Sequence, residues 1–211
     1  MKKTKEVIVI DHPLIQRDLT ILRDKKTKPE IFRSVLHRIS LCMAYESLRR
    51  LDVRSVPIET PLAKTKGISL KQEVVLVPIL RAGLGMLQGF TDLLPESRVG
   101  HIGMFRNEET LQPVEYYCKL PENTSKAIVF ILDPMLATGG SANLAITFLQ
   151  KQRARNIALV SVVAALEGIR AVQKVHPQVP IFTCAVDSKL NEHGYIVPGL
   201  GDAGDRIFGT K

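Results

Sequence analysis

The sequence predicts an α/β protein with a central, mostly parallel sheet flanked by helices. Three observations lead there. Beyond residue 70, short apolar runs with β-branched residues recur at Val74–Leu80, Arg98–Phe105, Val114–Cys118, Ala127–Leu132, Ile157–Ala164 and Ile181–Val186. Helical patterns separate several of them, at Leu84–Leu94, Ser141–Arg153 and Glu167–Val175. The runs are apolar on both faces, as strands covered on both sides must be. Ligands of such sheets bind at the carboxyl ends of the strands, so the residues that end each run are the ones to inspect for chemistry.

The amino-terminal part reads differently. Thr27-Lys28-Pro29-Glu30 has the form of a capping box with proline in the first turn. Phe32, Val35, Leu36, Ile39 and Met43 follow at helical spacing, which predicts an amphipathic helix to about Arg50. Arg33, Arg38 and Arg49 fall on its outer face, expected to be solvated. A length of 211 residues with 45% hydrophobic content suits one domain over 1–211, with a core that needs no disulfide or metal.

The formal charge of +8 is unevenly placed. Residues 1–66 hold 15 Lys and Arg against 8 Asp and Glu, while the remainder holds 14 against 13. The excess belongs to the amino-terminal region, which weighs against a polyanion cradle spread over the whole surface. Cys42, Cys118 and Cys184 are odd in number and without CxxC spacing, so free thiols in a reducing compartment are expected. Val7–Ile10 is too short an apolar run for a signal peptide, and nothing approaches membrane length. A cytoplasmic protein without a membrane partner is the expectation.

The most informative segment is Val129-Phe130-Ile131-Leu132-Asp133-Pro134-Met135-Leu136-Ala137-Thr138-Gly139-Gly140-Ser141. A buried strand ends on a carboxylate, and Thr-Gly-Gly-Ser then opens a helix. Small residues let backbone N–H groups approach an anion, the hydroxyls of Thr138 and Ser141 can donate, and the helix dipole adds positive potential. A carboxylate repels a bare phosphate. It suits a ligand that carries hydroxyls beside its phosphate, such as a ribose phosphate. Local physics leaves open that Asp133 merely caps a turn. The lysine of a Walker loop is missing.

Val129 to Ala142 resembles the phosphoribosyl-pyrophosphate (PRPP) motif of type I phosphoribosyltransferases. Most members carry two adjacent acids where this chain has Asp133-Pro134, and that departure is similar to the uracil phosphoribosyltransferase family. A second motif agrees. Gly194-Tyr195-Ile196-Val197-Pro198-Gly199-Leu200-Gly201-Asp202-Ala203-Gly204 contains a literal Gly-x-Gly-x-x-Gly, but it lies too near the end of the chain to head a dinucleotide-binding βαβ unit. Its main-chain groups could instead read the acceptor–donor–acceptor edge of uracil. The segment resembles the uracil-recognition signature of the same family.

Further resemblances cover nearly the whole chain. His12-Pro13-Leu14 and Phe32-Arg33 are similar to the family's amino-terminal arm, and Thr60-Pro61-Leu62 to the following strand end. Pro78 to Gly85, with Arg81, resembles its pyrophosphate-contacting loop. Phe105 to Pro113, with Arg106, resembles the loop that covers PRPP, although relatives commonly have Tyr and Asp at positions 105 and 107.

The resemblance implies a type I phosphoribosyltransferase fold with an amino-terminal helical arm and a β hood or arm. It also implies the reaction of uracil with PRPP to give UMP and pyrophosphate. Arg81, Arg106, Asp133 to Ser141 and Asp202 would bind PRPP; Asp133, Arg106 and Asp202 would be catalytic; Ile196, Gly201, Asp202 and Ala203 would bind uracil. Mg²⁺ would come bound as Mg-PRPP, with no metal ligand set in the protein. The resemblance further implies a homodimer or homotetramer and, as in some relatives, GTP as an effector. His193 is a candidate base by position alone; an exposed loop histidine is the simpler expectation. A purine or orotate enzyme would carry the second acid. An RNA-binding regulator on this scaffold would draw on the basic amino-terminal region; a nucleic-acid partner is not expected.

Overall fold

The structure, a computed structural model, describes residues 6–106 and 113–210, apart from the side chains of Phe105, Arg106 and Pro113. Strand β1 (Val7–Val9) is followed by helices α1 (Pro13–Arg23) and α2 (Pro29–Ser47). Then come the hairpin β2 (Val53–Glu59) and β3 (Lys64–Leu70), strand β4 (Val74–Leu80) and helix α3 (Leu84–Leu93). Strands β5 (Arg98–Val99), β6 (His101–Arg106), β7 (Pro113–Lys119), β8 (Ile128–Leu132) and β9 (Met135–Leu136) lead to helix α4 (Gly140–Lys151). The rest comprises β10 (Asn156–Ala165), α5 (Leu166–Val175), β11 (Ile181–Asp187), β12 (Lys189–Leu190), β13 (Ile196–Val197) and α6 (Ala203–Phe208).

The main sheet runs in the order β1-β11-β10-β8-β4-β6-β7, with β5 also on β4 and β9 on β10. Every pairing in it is parallel except β6 with β7. The expected α/β class is therefore the observed one. The run expected as one strand over Arg98–Phe105 is divided at Gly100, whose N–H still reaches the Leu76 carbonyl at 2.9 Å.

Side-chain alternation along the central strand divides the interior into two cores. Phe130 and Leu132 of β8 join Phe32, Leu36 and Met43 of α2 and Phe90 of α3 on one face. Val129 and Ile131 face Ala145, Ile146 and Leu149 of α4 with Ile169 and Val172 of α5 on the other. Each fully buried large side chain contributes roughly 1.5–3 kcal/mol of transfer free energy, so the middle strands are the least deformable part of the molecule. Their carboxyl ends inherit that rigidity.

One expectation for the amino-terminal region needs correction. The capping residue of α2 is Lys28, without a side-chain cap, and the Thr27 hydroxyl bonds the Ile21 carbonyl instead, at 2.6 Å. Arg33, Arg38 and Arg49 are exposed as expected, but two of them also hold partners on neighbouring helices. Arg38 grips the buried Asp18 of α1 through Nε at 3.0 Å and Nη2 at 3.2 Å. Arg33 donates to the Ile207 carbonyl at 2.7 Å, which ties α6 to α2. The β2–β3 hairpin stands apart as its own two-stranded sheet. It fits the arm implied by the resemblance.

Candidate active site

Strand β8 ends at Leu132, and the chain then crosses towards β10 in a way that fixes Asp133. The Asp133 N–H bonds the Val160 carbonyl at 3.1 Å, and Pro134 accepts from Val163 at 3.0 Å. Met135 and Leu136 pair with Val163 and Ala164 as β9, so part of the expected loop is a strand. What remains irregular is Ala137 to Gly139, after which α4 begins. Gly139, at φ 80°, is its N-cap, and the first helical N–H to find an intrahelical acceptor is that of Asn143. The N–H groups at positions 140 to 142 therefore stand at the mouth of the helix, with the Thr138 hydroxyl 3.4 Å from that of Gly140. That is an anion cradle.

Helix α5 supports the cradle from behind. A Cβ on Gly168 would come 2.4 Å from the Ala137 carbonyl oxygen and 2.8 Å from that of Leu136. Only glycine lets α5 press on the loop this closely. His176, at the end of α5, adds a polar strut: its Nε2 lies 3.2 Å from Thr147 Oγ1 and 3.3 Å from the Asn143 carbonyl of α4. Burial holds its pKa below the usual imidazole value. Neither residue was found by sequence reasoning. Gly168 has an ordinary helical context, and its role depends on a contact with a segment about thirty residues away.

The cradle opens into a cavity of about 310 Å³ that is also lined by Asp133, Gly194, Tyr195, Ile196 and Asp202. Two segments far apart in sequence thus share one site, of a size suited to a small ligand. Asp133 is only partly open to solvent and is ringed by protein. Its pKa is pushed up to about 7 by desolvation, against which the N–H of Met135 at 3.4 Å is a weak counterweight. Asp202 is the N-cap of α6, its Oδ1 accepting from the Asp205 N–H at 3.0 Å.

Of the other predicted residues, Pro134, Gly201, Ala203 and Arg81 are not among those that line this cavity. Pro134 is buried beneath it. Gly201 is exposed and Ala203 buried on either side of Asp202. Arg81 does not line it; it pairs with Asp205 at 3.1 Å and lies over the Phe208 ring. A Cβ on Gly204 would meet Asp202 Oδ1 at 3.2 Å and Arg81 Nη2 at 3.8 Å, which puts the arginine beside Asp202 at the rim. Arg106 ends β6 in backbone register with Pro113, but its side chain and residues 107–112 lie outside the described residues. His193 is on an exposed turn near Glu192. Among the described residues no three His, Cys, Asp or Glu side chains cluster as a metal site.

Comparison with known proteins decides the family. The model of the uracil phosphoribosyltransferase family matches residues 9–210. The chain belongs to the uracil phosphoribosyltransferase family. It is 57% identical to the uracil phosphoribosyltransferase of Pediococcus pentosaceus, over 96% of this chain and 98% of that one. It is 54% identical to that of Finegoldia magna, over 98% and 99%. Among solved structures it is similar to the AQ2163 protein of Aquifex aeolicus, with a TM-score of 0.91 and 39% identity over 96% of this chain and 97% of that one. The fold extends to the adenine phosphoribosyltransferase of Trypanosoma brucei, with a TM-score of 0.58 and 11% identity over 92% of this chain and 89% of that one.

The Asp133 carboxyl carries a stability consequence whose sign is definite. Its folded pKa lies above the unfolded value, so its penalty is absent below about pH 4, grows as pH rises and is complete above 7. Asp133→Asn should therefore stabilise the free protein at pH 8, by on the order of 2–4 kcal/mol, and leave it unchanged at pH 3.5. Urea unfolding at the two pH values reads this directly.

Proposed function

We propose that this chain transfers the phosphoribosyl group of PRPP to uracil, giving UMP and pyrophosphate. The observation that carries the reading is the shared cavity, in which a phosphate cradle with an acid at its foot faces the carboxy-terminal glycine segment. The first binds a phosphorylated sugar and the second a flat base. The uracil N1–C1 bond forms as the C1–O bond to pyrophosphate breaks. The N1 proton passes to water or to the departing pyrophosphate, and no side chain of the cavity stands out as an obligatory base.

The N–H groups opening α4, with the hydroxyls of Thr138 and Ser141, would hold the 5′-phosphate. Asp133 would accept hydrogen bonds from the ribose hydroxyls. Those donors favour its ionised form and would bring its pKa down again. Negative charge grows on the leaving group, so the dominant catalytic effect would be electrostatic. Arg81 at the rim and Arg106 from the β6 end would supply it, while Mg²⁺ arrives as part of the substrate, Mg-PRPP. Asp202 would face PRPP or that metal. Ile196, Gly201, Asp202 and Ala203 would read uracil through their main-chain groups.

The reading extends to the setting. A reducing cytoplasm suits the free thiols Cys42, Cys118 and Cys184. A dimer or tetramer suits the apolar residues Leu62 and Ile68 standing exposed on the hairpin arm.

An assay of labelled PRPP with uracil, cytosine, hypoxanthine and orotate should yield product from uracil alone, and UMP formation with and without GTP tests the effector. Failure with uracil alongside turnover of another base would assign a different phosphoribosyltransferase. Asp133→Asn should lower kcat by roughly 10–100-fold at saturating substrates if it orients the ribose; unchanged turnover would remove that role. Gly168→Ala, by displacing the cradle, should raise the KM for PRPP about tenfold with the KM for uracil little altered.

A further inference from the structure

The base-reading segment is built from main chain, so its selectivity depends on how firmly that chain is held. Its groups gain nothing from side-chain shape. Positions 201 to 203 are preceded by two residues, Gly199 and Leu200, that are themselves buried. Both are fastened to the carboxyl end of α1, some 175 residues away in sequence.

At Gly199 both peptide groups are taken. Its N–H donates to Asp187 Oδ2 at 2.9 Å, and its carbonyl accepts from Arg23 Nη1 at 3.0 Å. Arg23 and Asp187 are themselves joined by two bonds of 2.8 Å, with Asp187 almost fully buried. Paired bonds of this kind fix orientation as well as distance. At Leu200 the carbonyl accepts from Arg206 Nη1 at 2.8 Å. Arg206 also bonds the Leu22 carbonyl and, at 2.6 Å, that of Asp24, and stacks over Phe32. Leu22, Arg23 and Asp24 are consecutive. One turn of α1 thus pins both residues before the exposed pair Gly201–Asp202. Among the described residues no hydrogen bond takes up the N–H groups of Gly201 or Ala203. Both peptide groups of Gly199 and the carbonyl of Leu200 are held, while the main chain just after them keeps donors to spare.

We propose that the Arg23–Asp187 pair is a positioning device that holds residues 201–203 in register with the base and so governs affinity and selectivity for uracil. Neither residue lines the cavity. The inference rests on the uracil reading given above. Lysine at position 23 offers one ammonium and cannot bridge both Asp187 oxygens and the Gly199 carbonyl in a single plane. Asparagine at position 187 keeps the volume and an acceptor for Gly199 but loses the charge.

The test uses the full chain with Arg23→Lys and Asp187→Asn, after the wild type has been shown to form UMP. The expected result is a KM for uracil raised about tenfold and a uracil-over-cytosine preference reduced by a similar factor, with the KM for PRPP within twofold of wild type. A folded variant that melts earlier yet keeps the wild-type uracil KM and preference makes the pair purely structural and overturns the inference. Amide hydrogen exchange of the free wild-type protein covers the case in which neither variant folds. Gly199 should be protected before uracil is added, and Gly201 and Ala203 only afterwards; a Gly199 amide exchanging as fast as Gly201 sinks the proposal. A wild type that makes no UMP fails the uracil reading instead, and this inference with it.

Discussion

Strand β8 is buried on both faces and hydrogen-bonded along both edges, to β4 and to β10, and the candidate site is registered to its carboxyl end. Parallel neighbours bring their own carboxyl ends to the same side. β4 delivers Arg81, β8 delivers Asp133, and β10 receives the crossover that becomes β9 and the cradle. The backbone at these strand ends could not move by an ångström without shifting a fully packed strand, because interiors at close-packed density have no slack to absorb the change. Loops carry the contacts, but the sheet sets where they start.

That rigidity lets the protein hold groups where water would not leave them. Asp133 sits beside the mouth of α4 in a desolvated corner, and that desolvation pushes its pKa up. Local discomfort of this kind persists only when the surroundings over-determine it. The crossover bonds to β10 and the pressure of Gly168 on the cradle are those surroundings. A ligand with hydroxyls for the carboxylate and a phosphate for the N–H groups relieves both at once, so binding and relief of strain are the same event.

Much of this was legible from residues alone, for identifiable reasons. The middle strands are apolar on both faces, and their boundaries could be read within a residue or two. The cradle announced itself through small residues after a strand, and the family motifs tied it to a base site. Other features gave no such signal. The β2–β3 hairpin strands have no buried residue, so they carry no apolar core pattern to read. Thr27 looked like a cap, but its hydroxyl found a better-placed carbonyl across the turn. Arg33 and Arg38 sit on a polar, exposed helix face, and nothing local says that neighbouring elements will offer them partners. Gly168 and His176 act through contacts across helices, which spacing along one helix does not encode.

The basic amino-terminal region illustrates the same point in energetic terms. A run of 15 Lys and Arg before residue 67 suggests attraction for a polyanion. Yet Arg23 is tied to Asp187, Arg38 to Asp18, and Arg33 to a backbone carbonyl of α6. Arginine suits this work because its planar fork meets two acceptors at once and is weakly hydrated, so partial burial costs it less than it would cost lysine. Three of the cations that make the region look like a binding surface are engaged as fasteners, Arg33 and Arg38 while staying exposed. Arg23 joins β11 and the glycine segment to the end of α1, while Arg33 joins α6 to α2. Charge counted along a chain treats every cation as a free field source. Charge located in the fold shows that part of this excess is consumed in holding the far end of the chain against the helices at the near end.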